Sequence, residues 1–401
     1  MSCEQATDPD KCHADRADAR ERRWHVLVQR AARITRRMLV IRPQPSRFDY
    51  IDALRGYAIA LVMIAHCIFL FNDVPKSVAT SFLGYGGRGV QLFFIASAIT
   101  LMMSWKRHHD GAGPFYVRRI FRIAPMWYLA MGYWLLEMGT APRYFAPTGL
   151  SAWDIILNAT FLHTWSPTAH SGVVPGGWSI GAEMMFYLLF PFIAVHATNF
   201  GRAVAGFVLC LAMRAVLTPF ADSLVHSTAG VRIAFMEYWF VNQAPVFMIG
   251  VCIYHLIERR RVSVIAANLL IGLGLVAAAL LPYSSIPGPY PVPYGMCWAV
   301  VAFGLAHGGG GWLVNRAICF LGTISYSAYF WHFILLRNPV DLPKMAGGTP
   351  GLVRLLASTF VCTIVLSWVT YRLIERPGIH LGGLVAAAFK RRFAEQRAAT
   401  V

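Results

Sequence analysis

Arg55 and His66 stand eleven residues apart in DYIDALRGYAIALVMIAH, residues 49–66, an otherwise apolar run. Eleven residues make about three helical turns, so the two side chains share a face and lie about 16 Å apart along the axis. They cannot touch each other. A histidine held in such a place can act as a general base, and an arginine can hold an anion. The bland alternatives are an arginine that snorkels from a helix end beside Asp52, and a core histidine bonded to a backbone carbonyl. Glu183 and His332 are two further ionisable residues inside apolar runs. A carboxylate beside a histidine can fix its tautomer and stabilise the imidazolium. A third group is cationic: Arg118, Arg119 and Arg122 open one apolar run, and Arg372 and Arg376 close another. The Arg119/Arg122 pair has the i, i+3 spacing that lets two guanidinium groups grip phosphate from one helix face. Ordinary anchoring at the membrane surface is the alternative, and it is the favoured one for Arg118 and Arg376.

The elements that must carry these residues are membrane spans. The 401-residue chain is 57% hydrophobic and only 14% charged, against about 25% charged in soluble domains. A span needs about 20 mainly apolar residues. Ten runs qualify: 51–71, 86–104, 120–137, 178–197, 201–219, 239–257, 263–282, 292–307, 318–337 and 353–374. Residues 150–165, interrupted by Asp154 and Asn158, read as an interfacial helix. With the N-terminus cytoplasmic, most Lys and Arg fall on the inner side, including the runs at 106–107, 118–119, 259–261 and 390–392. Both termini are then cytoplasmic. The formal charge of +17 is explained by this topology and by inner-leaflet lipids, and nucleic acid is excluded as a partner. Residues 22–41 place Trp24, Leu27, Val28 and Ile34 opposite Arg22, Arg30, Arg33 and Arg37, the pattern of a helix lying on the inner membrane surface. No secretory signal peptide is read. The eight cysteines form no CxxC pair, and neither a disulfide framework nor a metal site is expected.

Depth follows from a 1.5 Å rise per residue, which sets His66, Glu183 and His332 all about 7–9 Å below the outer face. Arg55, Arg119 and Arg122 lie toward the inner face. A molecule that is long, anionic at one end and reactive at the other would bridge the two levels. An acyl thioester of coenzyme A has that form: its phosphates stay inside and its pantetheine arm delivers the thioester to His66.

Six segments, in order, resemble the membrane-bound acyltransferase type 3 family, the O-acyltransferases of bacterial surface glycans. They are the Arg55/His66 stretch, GVQLFFIASAIT, VRRIFRIAPMWYL, WSIGAEMMFYLLFP, LGTISYSAYFWHFILL and TYRLIERPG, spread over about residues 48–380. Gln91, Ala98, Met184 and Met185 depart from the family pattern, leaving Glu183 as the one acidic helper. The resemblance implies transfer of an acyl group, usually acetyl, from cytoplasmic acyl-CoA to a hydroxyl of a glycan, glycolipid or related acceptor. The expected protein is an all-α, ten-span enzyme of the bacterial inner membrane. A basic tail (1–47) precedes its acyltransferase domain (48–380), and a short tail (381–401) follows. His66 is expected as general base, or as a transient acyl carrier, with Glu183 orienting it. Arg55, Arg119 and Arg122 are expected on the donor phosphates. Trp178, Ser179, Tyr326 and His332 are expected around the acceptor, under the segment 139–177 with its Trp153, His163, Trp165 and His170. A secondary transporter with an ionisable intramembrane site is the alternative, although no internal symmetry between two halves is visible. A structural membrane subunit is another.

Overall fold

The computed structural model describes residues 49–70, 80, 83–108, 111–284, 291–337 and 348–398. The amphipathic stretch 22–41 lies outside the described residues, as do Cys3 and Cys12. Helices form the whole framework, and no strand occurs among the described residues. The principal helices are α1 (Asp49–Leu70), α2 (Gly89–His108), α3 (Ala112–Met138), α4 (Trp178–His196), α5 (Phe200–Leu224), α6 (Ala229–Tyr238), α7 (Phe240–Arg259), α8 (Val264–Leu280), α9 (Pro291–Ala306), α10 (Arg316–Thr323), α11 (Ser325–Arg337), α12 (Gly348–Thr370) and α13 (Arg376–Ala398). Side-chain caps mark several starts: Asn199 for α5, Ser263 for α8 and Asn315 for α10 each accept a bond from a free backbone N–H of the first turn.

All ten expected spans fall on helices, but not all are spans by length and apolarity. Seven helical stretches among the described residues pass that test, and α10 with α11 makes an eighth if the pair, bent by 78°, is one span. Two fall short for different reasons. The 16 residues of α9 cover about 24 Å, less than the roughly 30 Å of a hydrocarbon core. The longer α3, at 27 residues long enough to cross, falls short on apolarity because of Arg118, Arg119 and Arg122 and the rings of Trp127, Tyr128, Tyr133 and Trp134, rings that favour the membrane–water boundary at its far end. Residues 150–165 form the helix Ala152–Ala159 and a 3-10 turn, His163–Trp165, too short to span.

Helix α1 sits between α2, α10, α11 and α12, which turns Arg55 and His66 toward neighbouring helices. Close approach needs glycine here. A Cβ on Gly322 would lie 1.8 Å from the Asp52 carbonyl oxygen, and one on Gly56 would lie 2.1 Å from that of Ile318. The α1–α10 contact is therefore backbone on backbone. The break after α10, at Ile324, then aims α11 across the bundle. A π-helical turn, Tyr371–Glu375, joins α12 to α13 and buries Glu375. Past residue 380 the helix continues: α13 runs on to Ala398 and packs along α3, with Gly382 making room for Phe121.

Candidate functional site

Two cavities meet in the middle of this helix packing. The first, about 60 Å³, is lined by Arg55, Ser97, Arg122, Glu183, Tyr187 and Tyr326 among others. Arg55 reaches it from α1, with its Nη2 donating to Thr100 Oγ1 on α2 at 3.0 Å. Asp52, 3.6 Å from the guanidinium one turn back, is its ion-pair partner. Glu183 from α4 accepts hydrogen bonds from Ser97 at 2.7 Å and from Tyr187, one turn further along its own helix, at 2.5 Å. Both donors meet the same carboxylate oxygen, Oε1. Tyr326 turns its ring into this space while its hydroxyl donates to the Ile123 carbonyl at 2.8 Å.

The second cavity, about 340 Å³, is lined by His66, Arg88, Gln91, Trp178, Tyr238 and Phe333 among others. His66 Nδ1 lies 3.2 Å from His332 Nε2, with the rings stacked at 5.2 Å. His332 is fully buried, and its Nδ1 lies 3.0 Å from the Ala328 carbonyl. Part of its lining is aromatic: Trp178 and Tyr238 stack at 4.4 Å with planes 9° apart. Arg88 pairs with Glu237 at its rim. Val90 and Tyr329 line both cavities. The Tyr329 hydroxyl donates to Gly176 O at 3.0 Å and lies 2.9 Å from Ser179 Oγ. Tyr329 thus stands where the two spaces adjoin.

The expected pairing of His66 with Glu183 is replaced by a pairing of His66 with His332. The depth count had put all three at one level, but Glu183 bonds to Ser97, one turn along α2 from the Thr100 that holds Arg55, so it lies near the depth of Arg55 and not of His66. Helix α4 presents Glu183 to Ser97 of α2, and the bend before α11 turns His332 toward α1. Arg122 is in the first cavity with Arg55. Arg119 instead lies over the rings of Phe115 and Tyr187, 5.6 and 5.8 Å from their centres. Arg372 covers the ring of Trp368 at 5.4 Å. Trp178 lines the second cavity and Ser179 the first, so the two residues expected together at an acceptor face different spaces.

The segment 139–177 does contribute to the second cavity, but through Phe145, Ser171, Pro175 and Gly176. Its four expected residues have other surroundings. Trp153 is exposed. His163 stacks on Trp127 at 5.0 Å and donates from Nε2 to Gly177 O at 2.9 Å. Trp165 donates to the Met185 sulfur, and His170 donates from Nδ1 to Pro167 O at 2.7 Å. Burial without a counter-ion holds both histidines, which lie outside the spanning helices, down at about 4. Sequence reasoning missed Ser97, Thr100, Tyr187 and Tyr329. Tyr187 was within reach of it, since an i, i+4 partner shares the face of Glu183. The other three lie on different helices from their partners, and nothing local marks them.

Comparison with known proteins agrees with the motifs. A family profile described as "Acyltransferase domain" matches residues 48–372. The exopolysaccharide production protein ExoZ of Rhizobium meliloti (strain 1021) is 24% identical over 311 residues, covering 74% of this chain and 90% of its own. The acyltransferase MdmB of Streptomyces mycarofaciens is 24% identical over 380 residues, covering 85% of this chain and 94% of its own. No solved structure matches significantly. The apolar helices, the ordered motifs and the profile agree, and the chain belongs to the acyltransferase family as a multi-pass, acyl-transferring membrane enzyme.

Proposed function

We propose that this enzyme moves an acyl group from a coenzyme A thioester, acetyl-CoA first among them, to a hydroxyl of a sugar-bearing acceptor, with His66 as general base. One observation carries the reading. A cavity with two arginines, Arg55 and Arg122, adjoins a cavity with a histidine and an aromatic wall, and Tyr329 lines both. The first suits the anionic part of a donor, because guanidinium groups make charge-assisted bonds to phosphate. The second suits a sugar, whose apolar C–H faces pack on flat rings such as Trp178 and Tyr238 and whose hydroxyls bond to polar neighbours such as Arg88 and Gln91. That ExoZ is named for exopolysaccharide production is in keeping with a glycan acceptor.

In the reaction His66 takes the proton of the acceptor hydroxyl as its oxygen bonds to the thioester carbonyl carbon. Collapse of the tetrahedral adduct breaks the C–S bond, and the thiolate leaves with the proton held by His66. The products are the ester and free coenzyme A thiol. Glu183, held by Ser97 and Tyr187 on the donor side, orients Arg55 and Arg122 instead of the base. Arg119 supports the site through Tyr187. Phosphates enter from the cytoplasmic face of the inner membrane, and the acceptor from the opposite face.

The test uses the full-length protein in lipid nanodiscs, supplied with acetyl-CoA and an oligosaccharide extracted from the producing cells. Wild type is expected to release coenzyme A thiol together with an acetylated glycan seen by mass spectrometry. His66→Gln is expected to lose turnover by about 10²–10⁴-fold while remaining folded in the membrane. Turnover by His66→Gln at the wild-type rate would remove His66 as base.

A further inference from the structure

Proton accounting around the two stacked histidines fixes more than their contact. The Ala328 carbonyl can only accept, so the ring nitrogen 3.0 Å from it, His332 Nδ1, carries a proton. In a neutral imidazole the other nitrogen is then an acceptor. That nitrogen, His332 Nε2, lies 3.2 Å from His66 Nδ1, which must therefore be the donor. The chain of bonds runs from His66 Nδ1–H to His332 Nε2, and from His332 Nδ1–H to Ala328 O. A second proton on His332 would be a buried charge in a fully enclosed place, ringed by Tyr329 and Phe333, and such a charge is costly without a counter-ion.

We infer that His332 is the positioning residue of the base: a neutral imidazole acting as hydrogen-bond acceptor, which forces His66 into the Nδ1–H tautomer and leaves the lone pair on Nε2 for the acceptor hydroxyl. This rests on the acyl-transfer reading for its purpose, though not for its geometry. The carbonyl of Ala328 makes the arrangement directional. It lies four residues before His332 on the same helix, so the turn of α11 that carries His332 also sets its tautomer. When His66 gains the proton of the acceptor hydroxyl, the Nδ1–H bond to His332 becomes charge-assisted and strengthens. The support is thus greatest in the protonated state, where a base needs it. Phe333, 4.7 Å from the His66 ring centre, packs against the ring and limits its rotation.

Two measurements test this on the full chain in bilayers. In the first, protein labelled with ¹⁵N-histidine is examined by NMR, with the His66 signals identified by their loss in His66→Gln. The expected spectrum has the proton of His66 on Nδ1 and the lone pair on Nε2, and His332→Leu abolishes that preference. A wild-type His66 protonated at Nε2 overturns the inference. In the second, acetyl-CoA turnover is followed with octyl β-D-glucoside as the hydroxyl acceptor. His332→Leu is expected to lower kcat on the order of 10²-fold without raising the KM for acetyl-CoA. His332→Gln, whose side-chain oxygen can stand near the position of Nε2, is expected to recover most of the loss. A His332→Gln no better than His332→Leu would reduce His332 to packing and overturn the inference. If wild type turns over no acetyl-CoA, the proposed reaction fails for this donor and acceptor, while the tautomer measurement still decides the role of His332.

Discussion

At the scale of single residues, the arginines divide by what surrounds them. Arg55 and Arg122 line a cavity, whereas Arg119 is spent on the rings of Phe115 and Tyr187. Arg122→Ala should therefore weaken acetyl-CoA binding by about 1.5–3 kcal/mol, or tenfold and more in the KM for donor, with the wild-type affinity falling as salt rises. Arg119→Ala should leave donor KM within about threefold and act chiefly on kcat through Tyr187. Steady-state kinetics over a range of salt check both, and equal KM effects from the two would contradict the division. His163 supplies a stability prediction. Burial holds its folded-state value down at about 4, against about 6.5 for a free imidazole. Above about pH 6.5 both states are neutral and nothing is lost. As pH falls from there toward 4, the unfolded chain takes up a proton that the folded one refuses, so stability declines. The decline is on the order of 2 kcal/mol by pH 5, at about 1.4 kcal/mol per pH unit. Thermal unfolding in detergent at pH 7.5 and pH 5 should show a smaller drop for His163→Gln than for wild type.

At the scale of elements, the contact of α1 with α10 is the most exacting. Gly56 and Gly322 each face a backbone carbonyl of the partner helix at a distance no Cβ can share. Backbone cannot move aside as a side-chain tip can, so Gly322→Val should cost at least the 1–3 kcal/mol typical of overpacking. It should also displace α11, and with it His332 and Tyr329. A lowered thermal midpoint together with a large loss of kcat is the expected pair of results. Normal kcat in a stably folded Gly322→Val protein would show that α10 does not set the position of α11. A similar close fit joins α2 to α7. There Ala98 stands where the resemblance leads one to look for glycine, and the space is supplied by Gly250, whose Cβ would lie 2.7 Å from that of Ala98. The buried Glu375, bonded to Ser327, ties the π-helical turn to α11, a second fixing point for the helix that carries His332.

At the scale of the whole molecule, the reaction as proposed needs a donor side and an acceptor side, and therefore a topology. A cysteine placed at the exposed Trp153 should react with a membrane-impermeant thiol reagent added outside spheroplasts, and one at Arg260 should not. The native cysteines are first replaced, because Cys210, Cys252, Cys319 and Cys362 are only partly buried. The reverse labelling pattern would turn the enzyme over and exclude cytoplasmic acyl-CoA as donor.

Much of this enzyme is legible in its sequence. The apolar runs fixed where helices form, because a segment surrounded by lipid must satisfy its own backbone hydrogen bonds. The six ordered motifs identified the family, and the Arg55 to His66 spacing put one residue beside each cavity, because both lie on one unbroken helix. What lay beyond reach was everything that depends on the offset and rotation of one helix against another and on bends. The depth count, which rests on where each span is taken to begin, could not place Glu183: it set the residue level with His66, whereas its bond to Ser97 holds it near Arg55. Nor could hydropathy show that 318–337 is two helices bent by 78°, or that Arg119 and Arg122, three residues apart, part company between an aromatic cage and a cavity. Those choices belong to the packing of α1 against α10 and α2, where glycines admit one helix to another. The tertiary structure therefore decided which histidine, which carboxylate and which arginine share a space, because the offset and bending of neighbouring helices cannot be counted along one segment, while the sequence determined that these residues lie within apolar helices.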